Sequence, residues 1–393
     1  MRKMLRAVLA AALMSGATAL PAFAQMATID SLPSDFTRFA GKIRSDHTTI
    51  VVPPSSMAKP GDAGVRAHTN TRLVFPDATS SVHAAPAGNV EPYTGNFYET
   101  PATLNCVYLV NATSGGCNPD GYTTNAAGGA KAVAIVDAYH YPHALTDLQA
   151  YSKQFGLVVP TSSTFVQVNL GGSSNTDDGW GSEAALDVQM AHAVAPKAKI
   201  YLVEAASNGL TDLLAAVSTA KTLVANAGGG QVSMSWGSDE FSTEANYDGY
   251  FAGTNVVYFA STGDDVTPQW PAVSSKVVAV GGTSISRNPS TGAWMGEQAW
   301  SEAGAGYSRY IARPSWQPST VGTKRGVPDI SAVANPATGV WVYFTPAATT
   351  SGGWYIIGGT SVSSPLMAGI VNASGHFRAS TAAELTAIYS AKT

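Results

Sequence analysis

The sequence predicts an α/β domain of three layers, with a mostly parallel central sheet and helices on both faces. From about residue 131, short apolar runs alternate with helix-length segments, the mark of βαβ units. The runs are continuous rather than alternating, as expected of strands buried on both faces. Length sets the scale: 393 residues, 45% of them hydrophobic, fill one large domain and leave an extension over.

Residues 132–136 (Ala-Val-Ala-Ile-Val) form the first buried strand, and a helix follows over 145–155. A strand is expected at 165–170, a helix at 183–194, a strand at 200–203 and a helix at 210–223. Further strands fall at 232–236, 256–260 and 277–280. Near the end, residues 354–357 read as a strand, and the apolar run 366–371 as a helix after a glycine turn. A last apolar helix covers 383–389. In such sheets, functional residues gather at the C-terminal ends of the strands.

Residues 25–98 differ. Pro33, Pro53, Pro54, Pro60, Pro76, Pro86 and Pro92 punctuate the stretch, and only short strands at 48–52 and 71–75 are readable. This is an N-terminal extension or propeptide ahead of a domain spanning 99–393. Before it, Met1-Arg2-Lys3 is basic, an apolar run begins at Ala7, and Ala22-Phe23-Ala24 places small residues at −3 and −1. Residues 1–24 therefore read as a secretory signal peptide cut before Gln25. Gly16, Thr18 and Pro21 break the run, which argues against a membrane span. The mature chain is expected in a periplasm or outside the cell, free of the membrane.

Only 12% of residues are charged, the net charge is −4 and no basic block exists, so nucleic acid is excluded as a partner. Cys106 and Cys117 are the two cysteines. In an exported chain such a close pair forms a disulfide across a small loop containing Ser114-Gly115-Gly116. A metal reading lacks the accompanying His or Cys cluster.

The stretch Gly358-Gly359-Thr360-Ser361, followed by small residues and Pro365, carries the most chemistry. A strand, a glycine turn and a helix would place Ser361 at a helix N-terminus. Its hydroxyl would be exposed there, beside free N–H groups and the positive end of the helix dipole. This suits a nucleophile, and it equally suits an ordinary serine cap.

A nucleophilic serine needs a base. His47, His68 and His83 lie in the extension, His140 and His143 follow the first strand, and His376 is near the end. His192 lies on a helix, roughly 180° around from Glu183, so it reads as structural. Glu183 and Asp187, by contrast, lie at i and i+4, about 40° apart on that helix. Small and apolar residues surround them, with no lysine or arginine within a turn. Two like charges at this spacing raise one carboxyl's pKa, which suits a proton relay; an exposed acidic helix start reads the same way. Asp264, in Ser261-Thr262-Gly263-Asp264 after a strand, can point into a cleft or form a turn. Asp329, between Pro328 and Ile330, reads as a buried structural carboxylate.

In order along the chain stand Glu-Ala-Ala-Leu-Asp at 183–187, Ser235-Trp236-Gly237, Ser-Thr-Gly-Asp at 261–264, Trp270-Pro271-Ala272, Ala-Val-Gly-Gly-Thr at 279–283, Arg-Gly-Val-Pro-Asp at 325–329 and Gly-Gly-Thr-Ser with Pro365. From about residue 99 to 375 the chain resembles the sedolisins, serine-carboxyl peptidases with a subtilisin-like fold and a Ser-Glu-Asp triad. The resemblance implies that Ser361 is the nucleophile, Glu183 the general base and Asp187 its proton-sharing partner. Asp264 would donate to the oxyanion with the Ser361 N–H, and Ser235, Trp236 and Gly237 would line the cleft. Asp137, where a subtilisin's aspartate would be sought, stays outside the triad. The expected activity is a secreted, monomeric endopeptidase on protein or peptide substrates, working in acid because a carboxyl donates to an oxyanion only when protonated. The alternatives are an inactive binding protein of the same fold and a neutral peptidase using His140 or His192. The family's calcium site would lie beyond the nucleophile helix. No oxygen-ligand cluster follows Ser361, so no metal or other cofactor is assigned.

Overall fold

The computed structural model describes residues 48–76, 91–94, 98–108, 117 and 128–391, with short strand segments at 25–26, 40–43 and 83–84. The expected signal peptide and residues 114–116 lie outside the described residues. The N-terminal strands are β1 (Thr48–Val51), β2 (His68–Thr69) and β3 (Arg72–Pro76), followed by α1 (Pro101–Val107). Then come β4 (Ala132–Ala138), α2 (Ala144–Gln154), β5 (Phe165–Asn169), α3 (Asp178–Val194), β6 (Lys199–Ala205) and α4 (Leu210–Asn226). The next strands are β7 (Gly230–Met234), β8 (Trp236–Gly237), β9 (Val256–Ser261), β10 (Val278–Arg287) and β11 (Trp294–Ala299). After β12 (Gly306–Ala312), β13 (Lys324–Val327), β14 (Ile330–Val333), β15 (Val340–Phe344) and β16 (Gly353–Gly358), the helices α5 (Thr360–Ala373) and α6 (Thr381–Ser390) complete the described chain.

The central sheet runs β11-β10-β9-β7-β4-β6-β5, with β14 also paired to β10. All its pairings are parallel except β10 with β11. Strand β4 shows why the apolar runs were readable. Val133 and Ile135 enter one core; Ala132, Ala134 and Val136 enter the other. Alternate side chains thus feed both faces of the sheet. Helices α2, α3 and α5 pack on the first face and α4 on the second, giving the expected three layers. No helix among the described residues is long and apolar enough to cross a membrane.

Helix α3 starts at the cap of Asp177, whose Oδ1 accepts the Trp180 N–H at 3.0 Å. It is buried on every side from Gly179 to Val194, wedged between α5, α2, α1 and the sheet. Gly369 on α5 permits this approach: a Cβ there would lie 2.6 Å from Val194 Cγ2 and 3.0 Å from the Ala191 carbonyl. Close α3–α5 packing brings the acidic helix against the serine helix.

Residues 48–76 are part of the body of the molecule. β3 lies between β1 and β16, antiparallel to both, with Leu73 opposite Ile357 and Arg72 opposite Gly358. One strand boundary corrects the sequence reading. The strand expected over 232–236 ends at Met234, and Trp236–Gly237 instead pairs antiparallel with His68–Thr69. The chain turns out of the sheet at Ser235 so that its carbonyl can face Ser361.

Candidate active site

Ser361 is the second residue of α5, directly after strand β16 and the Gly359 turn. Its Oγ donates to the Ser235 carbonyl at 3.1 Å and accepts the Asn70 N–H at 3.1 Å. Its own N–H donates to the Asn70 carbonyl at 3.2 Å. The hydroxyl is not exposed as expected: Ser361 is fully buried, because residues 68–71 run over it. Ser235 Oγ in turn donates to the Ser361 carbonyl at 3.3 Å. Trp236 anchors the neighbouring strand through its indole N–H, 2.9 Å from the Val136 carbonyl.

Glu183 and Asp187 sit on the face of α3 turned to α5, and both are fully buried. None of their four oxygens has an ordinary hydrogen-bond donor. Burial pushes the Glu183 carboxyl well above the usual range and the Asp137 charge adds to it, while Ser361 and Asp187 beside it pull the other way. Asp187 is also raised, by burial first and then by the charge of Glu183, with Ser235 opposing. Two adjacent carboxyls without a cation cannot both ionise in this setting, so the pair holds a proton. The exposed acidic helix start weighed from sequence is therefore corrected by burial. Asp137, at the C-terminal end of β4, faces the same cluster with both oxygens unpartnered. Burial raises its carboxyl, as do the charges of Asp187 and Glu204.

Asp264 lies in the loop after β9. Its Oδ1 accepts both the N–H and the hydroxyl of Thr360, each at 2.8 Å. Its Oδ2 faces the Arg72 guanidinium at 3.5 Å, and Arg72 also donates to the Asp264 carbonyl at 3.0 Å. Burial raises its carboxyl; Arg72 and the Thr360 hydrogen bonds oppose this. Asp264 is thus fixed at the N-terminus of α5, beside Gly359.

The two histidines weighed as alternative bases are occupied elsewhere. His192 Nε2 contacts the Val158 carbonyl at 2.8 Å, and burial lowers its pKa to about 4. His140 Nδ1 pairs with Glu204 at 2.9 Å. Asp329 accepts from Arg325 Nη1 at 2.7 Å inside the protein, as its sequence setting suggested. The Cys106–Cys117 disulfide is formed. No group of three or more His, Cys, Asp or Glu residues able to hold a metal occurs among the described residues.

Asn70 and Arg72 were given no role from sequence, and Ser261 and Thr360 stood only as members of quoted motifs; each touches the site. The only sequence signal near the first two was the short strand at 71–75 in a proline-rich leader. Gly359 shows how tightly the overlying segment is seated. Its φ is +106°, and a Cβ there would lie 2.0 Å from the Asn70 carbonyl oxygen and 2.6 Å from Asp264 Oδ2. Gly359→Ala is expected to cost about 2–4 kcal/mol through strain and overpacking. The check is the urea midpoint, which should fall; an unchanged midpoint would show that the Asn70 carbonyl does not rest on this glycine.

The subtilase family matches residues 169–374, slightly more than half of the chain. Sedolisin of Pseudomonas sp. (strain 101) is 29% identical over 283 residues, which is 61% of this chain and 46% of that protein. Kumamolisin of Bacillus sp. (strain MN-32) is 33% identical over 270 residues, 58% of this chain and 45% of that protein. The chain thus spans less than half the length of these relatives. Among solved structures, Pseudomonas sedolisin, a serine-carboxyl proteinase complexed with two molecules of pseudo-iodotyrostatin, superposes with a TM-score of 0.60 at 26% identity, covering 75% of this chain and 86% of that one. The chain belongs to the subtilase family, and within it to the sedolisin group.

Proposed function

We propose that the chain is a secreted serine endopeptidase that works in acid. The observation that carries this reading is the buried Glu183–Asp187 pair packed against the helix of Ser361, with no histidine among the hydrogen-bond partners of the Ser361 hydroxyl. Ser361 Oγ attacks the scissile carbonyl carbon and its proton passes to Glu183. Asp187 shares that proton and steadies the pair. The oxyanion is held by the Ser361 N–H and by the protonated carboxyl of Asp264. Glu183 then delivers the proton to the leaving amine, and water attacks the acyl ester by the reverse path. The Ser235-Trp236-Gly237 edge, already paired as a strand with residues 68–69, receives the peptide backbone by strand addition. The similarity to sedolisin, named as a serine-carboxyl proteinase, supports the same assignment, as does the signal-like leader for secretion.

The test is digestion of a denatured protein by the full chain across pH 3–8, alongside Ser361→Ala and Glu183→Gln. Digestion should peak in acid, fall towards neutrality and vanish in both variants. A peak above pH 7 that disappears on substitution of His140 or His192 would instead establish the histidine mechanism.

A further inference from the structure

The segment over Ser361 is laid down as a peptide would be. His68 is opposite Gly237 and Thr69 opposite Trp236 in an antiparallel pair. At the next residue, the Asn70 carbonyl accepts the Ser361 N–H at 3.2 Å while the Asn70 N–H meets Ser361 Oγ at 3.1 Å. The chain then leaves along β16, with Arg72 opposite Gly358. The Asn70 carbonyl is thus the one held at the Ser361 N–H, with the Asn70–Thr71 bond following it. The side chain of Asn70 points inward, almost fully buried, and its Nδ2 donates to Ser261 Oγ at 2.9 Å. Ser261 is itself fully buried at the end of β9.

We infer that Ser261 is a specificity-determining residue, and that the site favours peptides carrying asparagine at the residue whose carbonyl faces Ser361. The inference rests on the peptidase reading above and deepens it by naming a substrate class. The buried Ser261 hydroxyl accepts the Asn70 Nδ2 hydrogen bond and loses that partner when an apolar side chain takes the place of the amide. A buried hydroxyl left unpaired costs enough to lower kcat/KM about 10- to 100-fold. Asparagine fits because it is short, neutral and able to donate or accept. An ionised aspartate would enter a region already crowded with Glu183, Asp187 and Asp264, and a long aliphatic chain would strand the hydroxyl. The first substrate to meet this preference is the chain itself. Ser361 Oγ would bond to the Asn70 carbonyl carbon, its proton would pass through Glu183 to the Thr71 nitrogen as the C–N bond breaks, and water would then release Asn70 as a carboxylate.

The experiment has two arms, both on the full chain at pH 4. In the first, new termini are mapped by mass spectrometry for wild type, Ser361→Ala, Asn70→Leu and Ser261→Val. In the second, kcat/KM is measured for two peptides that differ only in asparagine or leucine at the scissile residue. The expected result is a cut after Asn70 that is absent in Ser361→Ala and slowed about 10- to 100-fold in Asn70→Leu. The asparagine-to-leucine ratio should collapse towards one in Ser261→Val. The ratio is the deciding readout, because a poorly folded variant loses turnover of both peptides alike and leaves their ratio unchanged. Ser361-dependent digestion with no asparagine preference overturns the inference and leaves the peptidase reading standing. Absence of any Ser361-dependent cleavage overturns both.

Discussion

Ser361→Ala is expected to lower kcat/KM on a quenched fluorescent peptide at pH 4 by about 10⁴-fold or more, the loss typical of removing the nucleophile from a cooperating set. The site gives no substitute. Ser235 lies nearby, but its hydroxyl is turned to the Ser361 carbonyl, and the hydroxyl of Thr360 is committed to Asp264. Glu183→Gln should lose a comparable factor, since the serine hydroxyl then has no acceptor for its proton. The double variant should be no worse than either single one, because the two residues serve one step. Residual activity within tenfold of wild type in Ser361→Ala would rule out the assignment.

The second large effect is on stability. Burial raises the carboxyls of Asp137, Glu183, Asp187 and Asp264 above their ordinary values. It also lifts Asp147 to about 6 and Glu244 to about 8. A group whose folded pKa lies above its unfolded pKa binds its proton more tightly when folded. Its contribution is complete below the unfolded value, about 4 for a carboxyl, and is lost as pH rises through the folded value. The folded state should therefore weaken towards pH 8, most steeply above about pH 6.5, where His192, lowered by burial to about 4, no longer opposes the carboxyls. One unit of upward shift is about 1.4 kcal/mol, and about 1 kcal/mol moves the midpoint of a large domain by roughly 2 °C. Several such groups predict a fall of about 10 °C between pH 4 and pH 8 by scanning calorimetry. Glu183→Gln with Asp187→Asn should flatten that slope. A midpoint that rises towards neutrality would mean the carboxyls are solvated.

What was legible in the sequence was local. The strand read at 132–136 announced itself because both faces of β4 are buried. Glu183 and Asp187 were legible because helical spacing puts i and i+4 on one face. Their missing cations marked them as unusual. His192 was set aside by the same angular argument, and it indeed bonds a backbone carbonyl away from the serine. The rest depends on residues far apart in the chain. Nothing near Ser361 in sequence says that it will be covered, because the cover comes from Asn70, 291 positions earlier. The strand expected through Trp236 was misjudged for a related reason: its continuation is decided by a partner at residues 68–69. Arg72 carries no sequence signal of its own, since its role exists only once β3 has paired with β16 and brought it to Asp264.

That pairing also bears on how the chain comes together during synthesis. β3 emerges early, yet one of its two neighbours, β16, is made only when residues 353–358 appear. Contacts of such sequence separation are slow to close. Until then, β1 and β3 form a hairpin with an open edge and few charges to discourage other chains. Refolding yield should therefore depend on dilution, rising as the chain concentration falls and assembly outpaces aggregation.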